Sequence, residues 1–135
     1  MVTPATLVID ASLNKRIATE LKRRGRDAVA LSELQLRHAK DPELLRALAD
    51  HFADQHWVLV TADDNLPAAH ADVVAEVQAT IATVDPRRSS TYAEDEDAWG
   101  REVAHRWAHM MERQPKGSIR RYSDRGGRKW SPRRR

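Results

Sequence analysis

Four short apolar runs, each separated from the next by helix-forming sequence, restrict this chain more than any other feature. They are Thr6-Leu-Val-Ile-Asp10, Ala28–Leu31, Trp57-Val-Leu-Val-Thr61 and Ala79–Val84. Each is continuous rather than alternating, the pattern of a strand buried on both faces. Between the first two, Leu13, Ile17 and Leu21 recur every four residues until Gly25 stops the pattern, which predicts a helix over about 12–24. Ser32 to Lys40 reads as a loop. Asp41-Pro42-Glu43 then opens a second helix, with Asp41 as N-cap, Pro42 at the first helical position and an apolar stripe of Leu45, Leu48, Ala49 and Phe52. Ala62-Asp-Asp-Asn65 is turn chemistry, residues 66–78 suit a short helix and a loop, and Asp85-Pro86 ends the fourth run. A long helix is expected over about 94–112, acidic in its first turn (Glu94–Asp97) and with Trp99, Val103, Trp107 and Met110 on one face. Strands alternating with helices predict an α/β domain around a mainly parallel sheet of about four strands.

The charge is unevenly placed. Of 135 residues, 23 are Lys or Arg and 20 are Asp or Glu, a net of +3. Residues 113–135 hold ten of the cations and a single acid, Asp124, so residues 1–112 are left with a net charge of −6. An acidic body carrying a basic segment points to nucleic acid or an acidic partner. The expected organisation is a domain at 1–113 and a Gly-, Arg- and Ser-rich tail at 114–135. There is no cysteine, which removes disulfides, thiolate metal sites and a cysteine nucleophile. No apolar run approaches the roughly 20 residues of a membrane helix, and no basic leader precedes an apolar core, so a cytoplasmic location is expected.

In a parallel α/β sheet ligands collect at the carboxyl ends of the strands. Asp10 ends the first run, Asp63 follows the third, and Asp41 starts the helix after the second. These three carboxylates should therefore meet on one edge. Like charges held together favour a cation, and oxygen-only donors suit Mg²⁺ or Mn²⁺, which can serve phosphodiester hydrolysis without Cys or His. Structural alternatives exist for each acid. Asp41 is accounted for as a helix cap worth about 1 kcal/mol, and Asp63, Asp64 and Asn65 as turn formers. Asp10 is the hardest to dismiss, because an acid ending a buried strand needs partners. Glu33 and Glu43 read as solvated surface. His105 and His109 have zincin spacing, but Arg106 stands where that motif has Glu, so they read as packing or surface residues.

The order of Asp10-Ala-Ser12-Leu13, a helix, Gly25-x-Asp27, Asp41-Pro-Glu-Leu-Leu and Val58-Leu-Val-Thr61-Ala-Asp63-x-Asn65-Leu66 resembles the compact PIN-like domains over about residues 5–85. That superfamily contains metal-dependent ribonucleases, among them VapC-type toxins of toxin–antitoxin pairs. The resemblance implies a three-layer α/β/α fold and Asp10, Asp41 and Asp63 as catalytic, metal-holding acids, with Asn65 or Asp64 completing the donor set. It also implies that Thr61 and Ser12 order the site. Asn65 stands where family members often carry a second Asp, a loss of one charge. The implied activity is a Mg²⁺- or Mn²⁺-dependent endoribonuclease, the toxin of such a pair, leaving 5′-phosphate and 3′-hydroxyl ends. The implied partners are RNA, a small antitoxin protein and a second copy of the chain.

An acidic site repels the backbone it must hold, and the basic residues offer the counterweight. Arg120, Arg121, Arg125, Arg128, Lys129 and Arg133–Arg135, interleaved with Tyr122 and Trp130, suit phosphates and stacked bases, and Arg87 and Arg88 follow the fourth strand. The main rival is a catalytically inactive PIN-like module that binds RNA or protein. A phosphoacceptor domain using Asp10 or Asp63 is a third reading, weakened by the lack of a Lys on a late strand.

Overall fold

The computed structural model describes residues 4–84, 96–123 and 126–132. Strands β1 (Thr6–Ile9), β2 (Ala28–Ala30), β3 (Trp57–Thr61) and β4 (Ile81–Val84) form where the four apolar runs lie. Helix α1 (Arg16–Arg23) joins the first two, and α2 (Asp41–Phe52) joins β2 to β3. The short pair α3 (Leu66–Ala69) and α4 (Ala71–Val77) leads into β4, and α5 (Glu96–Met111) comes later. A 3₁₀ turn at Leu31–Leu34 opens the segment expected to be all loop.

The continuous apolar runs are explained by helices on both sides of the sheet. Leu7, Ile9, Val58, Val60, Ala82 and Val84 point into one core with Ile17 and Leu21 of α1 and Val103, Ala104 and Ala108 of α5. Val8, Trp57, Leu59 and Ile81 point into the other, against Leu44, Leu45, Leu48 and Phe52 of α2 and Val73 and Val74 of α4. The fold is thus a three-layer α/β/α sandwich. Strands β1 to β4 run parallel.

The sheet is larger than expected, with six strands in the order β2-β1-β3-β4-β5-β6. Strand β5 (Ile119–Ser123) lies parallel to β4, and β6 (Gly126–Lys129) returns antiparallel to β5. Both come from the segment read as an aperiodic tail, so that reading is corrected for 119–123 and 126–129. The anchor is Tyr122, which is fully buried and donates its hydroxyl to Gln114 Oε1 at 2.9 Å. Gln114 Nε2 in turn donates to the Ile81 carbonyl at 3.0 Å. Burial lifts the Tyr122 phenol above its ordinary value, with Arg120 pulling the other way. Gly127 is required where β6 passes the tyrosine, since a Cβ there would sit 2.5 Å from Tyr122 Cε1.

Candidate active site

The strand order decides where a ligand can enter. The chain leaves β1 through α1 to β2 on one side, then returns through α2 to β3 on the other side of β1. The loops after β1 and β3 therefore diverge to opposite faces and leave a crevice between the two carboxyl ends. Asp10 and Asp63 occupy those two ends, and Asp41 begins the helix that makes the return.

Asp10 is 8% exposed and is held by two hydroxyls. Ser12 Oγ and Thr61 Oγ1 each donate to Asp10 Oδ2, both at 2.7 Å. The clamp is itself tied to the loop after β3. Thr61 Oγ1 accepts the Asp63 amide at 3.0 Å, and Ser12 Oγ accepts the Ala62 amide at 3.0 Å. Ser12 and Thr61 thus fix one oxygen of the acid and join β1 to the loop after β3. Asp63 is exposed and accepts the Asn65 amide at 3.1 Å, closing the turn that starts α3. Asn65 is exposed in the same turn.

Asp41 differs from its expected place by one residue. Lys40, in extended conformation, is the N-cap of α2, and Asp41 is the first helical residue ahead of Pro42. No side-chain hydrogen bond caps this helix, so capping does not account for the aspartate. Partial burial raises the Asp41 carboxyl above its ordinary value, and the negative charges of Asp10 and Asp63 raise it further. His70, with Nε2 at 3.4 Å from Asp41 Oδ2, opposes the shift. Asp10 and Asp63 are thus each close enough to Asp41 for their charges to act on it. His70 was missed in the sequence because it lies in the hinge between two helices too short to show a period.

Asp64 faces the other way. Arg121 grips it with both arms, Nε to Oδ1 and Nη2 to Oδ2, each at 2.7 Å, and Thr83 Oγ1 donates to Oδ1 at 3.1 Å. A carboxylate so occupied is a structural staple, which corrects its expected place among the metal donors. The same contacts correct Arg121 as an RNA contact, since its side chain is only 5% exposed. Trp130 is likewise engaged: Arg121 Cζ lies 5.7 Å from its ring centroid, and its Nε1 donates to the Asp64 carbonyl at 3.0 Å. Of the remaining basic candidates, Arg120 is half-buried beside Tyr122, while Arg128 and Lys129 are exposed on β6. Arg87, Arg88, Arg125, Arg133–Arg135 and the acids Glu94 and Asp95 lie outside the described residues, as does the side chain of Trp99. His105 is not poised as a ligand: its Nε2 meets Glu20 at 2.5 Å. Glu33 bonds Lys22 and the Ala30 amide, and so serves the turn after β2.

A family model described as a PIN-like domain matches residues 5–84, which span β1 to β4 and carry Asp10, Asp41 and Asp63. The chain belongs to the PIN-like domain family. No curated protein matches it, and neither does any solved structure. The two strands that complete this PIN-like domain's sheet, β5 and β6, lie beyond the matched span.

PIN domains generally use divalent metal ions. The donors here are carboxylate, hydroxyl and amide oxygens, the chemistry of Mg²⁺ and Mn²⁺. Among the described residues, no three His, Asp or Glu side chains stand close enough to enclose an ion. The oxygen donors suit a hard cation such as Mg²⁺, which commonly takes one or two carboxylates and otherwise water and substrate phosphate. Asp10 is the best placed of them, because its clamp leaves Oδ1 without a hydrogen bond among the described residues.

Proposed function

We propose that this PIN-like domain is a Mg²⁺- or Mn²⁺-dependent endoribonuclease acting as the toxin of a toxin–antitoxin pair in the cytoplasm. The observation that carries the reading is the acid group at the β1/β3 crevice. Asp10 is oriented by two hydroxyls, and the charges of Asp10 and Asp63 raise the Asp41 carboxyl. Burial is the first cause of that rise, and the two neighbouring acids add negative charge that a cation would relieve.

Asp10 and Asp63 would hold the cation, with Asp41 and Asn65 in support. A bound divalent ion supplies a nucleophilic water at neutral pH and offsets the charge that develops on the phosphoryl oxygens. Ser12 and Thr61 keep the Asp10 carboxylate in one orientation, so no reorganisation is needed during reaction. His70 stands beside Asp41, its Nε2 3.4 Å from Asp41 Oδ2. The exposed Arg128 and Lys129, together with Arg120, would attract the polyanion, each phosphate contact on a single strand steepening log K against log salt by about 0.7. A small antitoxin that covers the crevice, and a second copy of the chain, complete the proposed partners.

A second reading is favoured by the loop after β3. Asn65 lacks a charge, and Arg121 has neutralised Asp64, so Asp63 is the one carboxylate of that loop with no cation partner among the described residues. A domain with fewer charges to hold metal would serve as a non-catalytic RNA- or protein-binding module.

The test is cleavage of single-stranded RNA by the purified chain with Mn²⁺ or Mg²⁺, followed on denaturing gels. The wild type should cut. Asp10→Asn and Asp63→Asn should each lose at least about a hundredfold in rate, since even an outer partner of a metal ligand costs 10–100-fold. Far-UV circular dichroism should be unchanged. Full-rate cutting by both variants rejects the site. A wild type that binds RNA and never cuts it selects the binding module.

A further inference from the structure

A cleft of about 230 Å³ opens beside Asp10 on the side away from β3, and two cations, Lys15 and Arg37, line it. Its walls come from the loop after β1, the end of β2 and the segment that follows, and its chemistry comes from Asp10, Lys15, Ser32 and Arg37. Ile9, Leu13, Ala30 and Leu31 make the apolar part of the lining. Among the described residues neither Lys15 nor Arg37 has a salt-bridge partner, in contrast to Lys22, Arg26, Arg46 and Arg121. Asp10 is the one acid lining the cleft.

We propose that this cleft binds a backbone phosphate of single-stranded RNA, the one next to the phosphate being cut, and so fixes the direction in which the strand crosses the sheet edge. The proposal rests on the nuclease reading of the neighbouring acids. Arg37 offers a planar fork that matches two phosphate oxygens, Lys15 a compact point charge, and Ser32 a hydroxyl donor. The apolar walls suit the sugar rather than a second charge. The volume falls below the roughly 300 Å³ at which drug-sized pockets begin, so it suits a phosphate with its ribose and leaves the base outside. Contacts of this kind place the strand without reading its sequence.

The layout along the carboxyl edge supports the assignment. In sheet order, the cations of the cleft sit over β2 and β1, the acids Asp10 and Asp63 over β1 and β3, and exposed Arg128 and Lys129 on β6 at the far side. A strand that approached only from β6 would meet the acids with nothing beyond them to hold its other end. Lys15 and Arg37 supply that second hold, so the backbone runs from β2 across β1 towards β3.

The test is fluorescence anisotropy of a labelled single-stranded RNA 12-mer in EDTA, where no cutting occurs, over a series of salt concentrations. The double variant Lys15→Gln/Arg37→Gln should bind more weakly, with a slope of log K against log salt shallower than wild type by about 1.4, two contacts at about 0.7 each. Arg46→Gln, a charge loss on the outer face of α2, should keep the wild-type slope. An unchanged slope in the double variant, or no binding by the wild type, overturns the proposal. The two readings fail separately. A shallower slope with no cleavage in Mn²⁺ keeps the phosphate site and rejects the nuclease; cleavage with an unchanged slope does the reverse.

Discussion

Asp63 and Asp64 stand side by side in the loop after β3, yet Asp64 places both carboxylate oxygens on Arg121, while Asp63 accepts one backbone amide and adds to the negative charge around Asp41. The two environments separate what an acid at a strand end can be. Where a later strand delivers a cation, the acid becomes a staple between distant parts of the sheet. Where the nearest charges are also negative, it stays available to a ligand and raises the proton affinity of its neighbours. Asp64 thus ties the β3 loop to the final hairpin, and Asp63, one residue earlier, is left facing the crevice between β1 and β3.

The largest effect expected from this contrast is on stability. Arg121→Ala leaves the Asp64 carboxylate partly buried without its partner and should cost about 3–5 kcal/mol in urea denaturation. The pair variant Asp64→Asn/Arg121→Gln should cost less than that single change, since it leaves no uncompensated charge. Asp63→Ala, at an exposed position, should stay within about 0.5 kcal/mol. Equal losses at Asp63 and Asp64 would erase the distinction.

A smaller effect is expected on the rate of RNA cutting. Thr61→Val keeps the shape of a fully buried side chain but removes one of the two hydroxyls on Asp10. Cleavage should fall about 10–100-fold, or roughly 1.4–2.7 kcal/mol, in a protein that still folds. An unaffected rate would mean that Ser12 alone orients the acid.

The smallest effect belongs to Asp41 and depends on pH. Its carboxyl is raised in the folded chain, so the folded state holds its proton more tightly than the unfolded one. Stability from this group therefore falls as pH climbs from the ordinary value of 3.8 through the raised folded value, and the deficit persists above it. Asp41→Asn should melt slightly higher than wild type at neutral pH, and the gap should close below about pH 3.8. A gap that is independent of pH would assign the change to packing instead.

Much of this was legible in the chain itself. Strands buried on both faces show as unbroken apolar runs, so β1, β3 and β4, and the placing of Asp10 and Asp63 just past the ends of β1 and β3, followed from periodicity and parallel topology. The hairpin of β5 and β6 did not. Its apolar content is little more than Ile119 and Tyr122, its residues 120 and 121 are both arginine, and Gly126 and Gly127 read as part of a Gly-, Arg- and Ser-rich tail, although Gly127 gives clearance to a tyrosine ring and Gly126 takes a positive φ. The fate of Asp64 was hidden for the same reason, because its cation lies 57 residues further on, in a strand that shows no clear pattern. Asp41 as a cap was wrong by one position, a shift of the size at which helix ends are ambiguous. That shift changes its meaning, because Lys40 takes the capping place and the carboxylate is left to its acidic neighbours.

The two margins of the sheet carry a consequence for assembly. A bare strand margin is a template on which another chain can add its own strand. Here one margin is β2, only three residues long, and the other is β6, where Arg128 and Lys129 are exposed. Short length and like charge each discourage continuation of the ladder from molecule to molecule. Neither margin of the sheet therefore offers a second copy of this domain a ready place to extend the ladder.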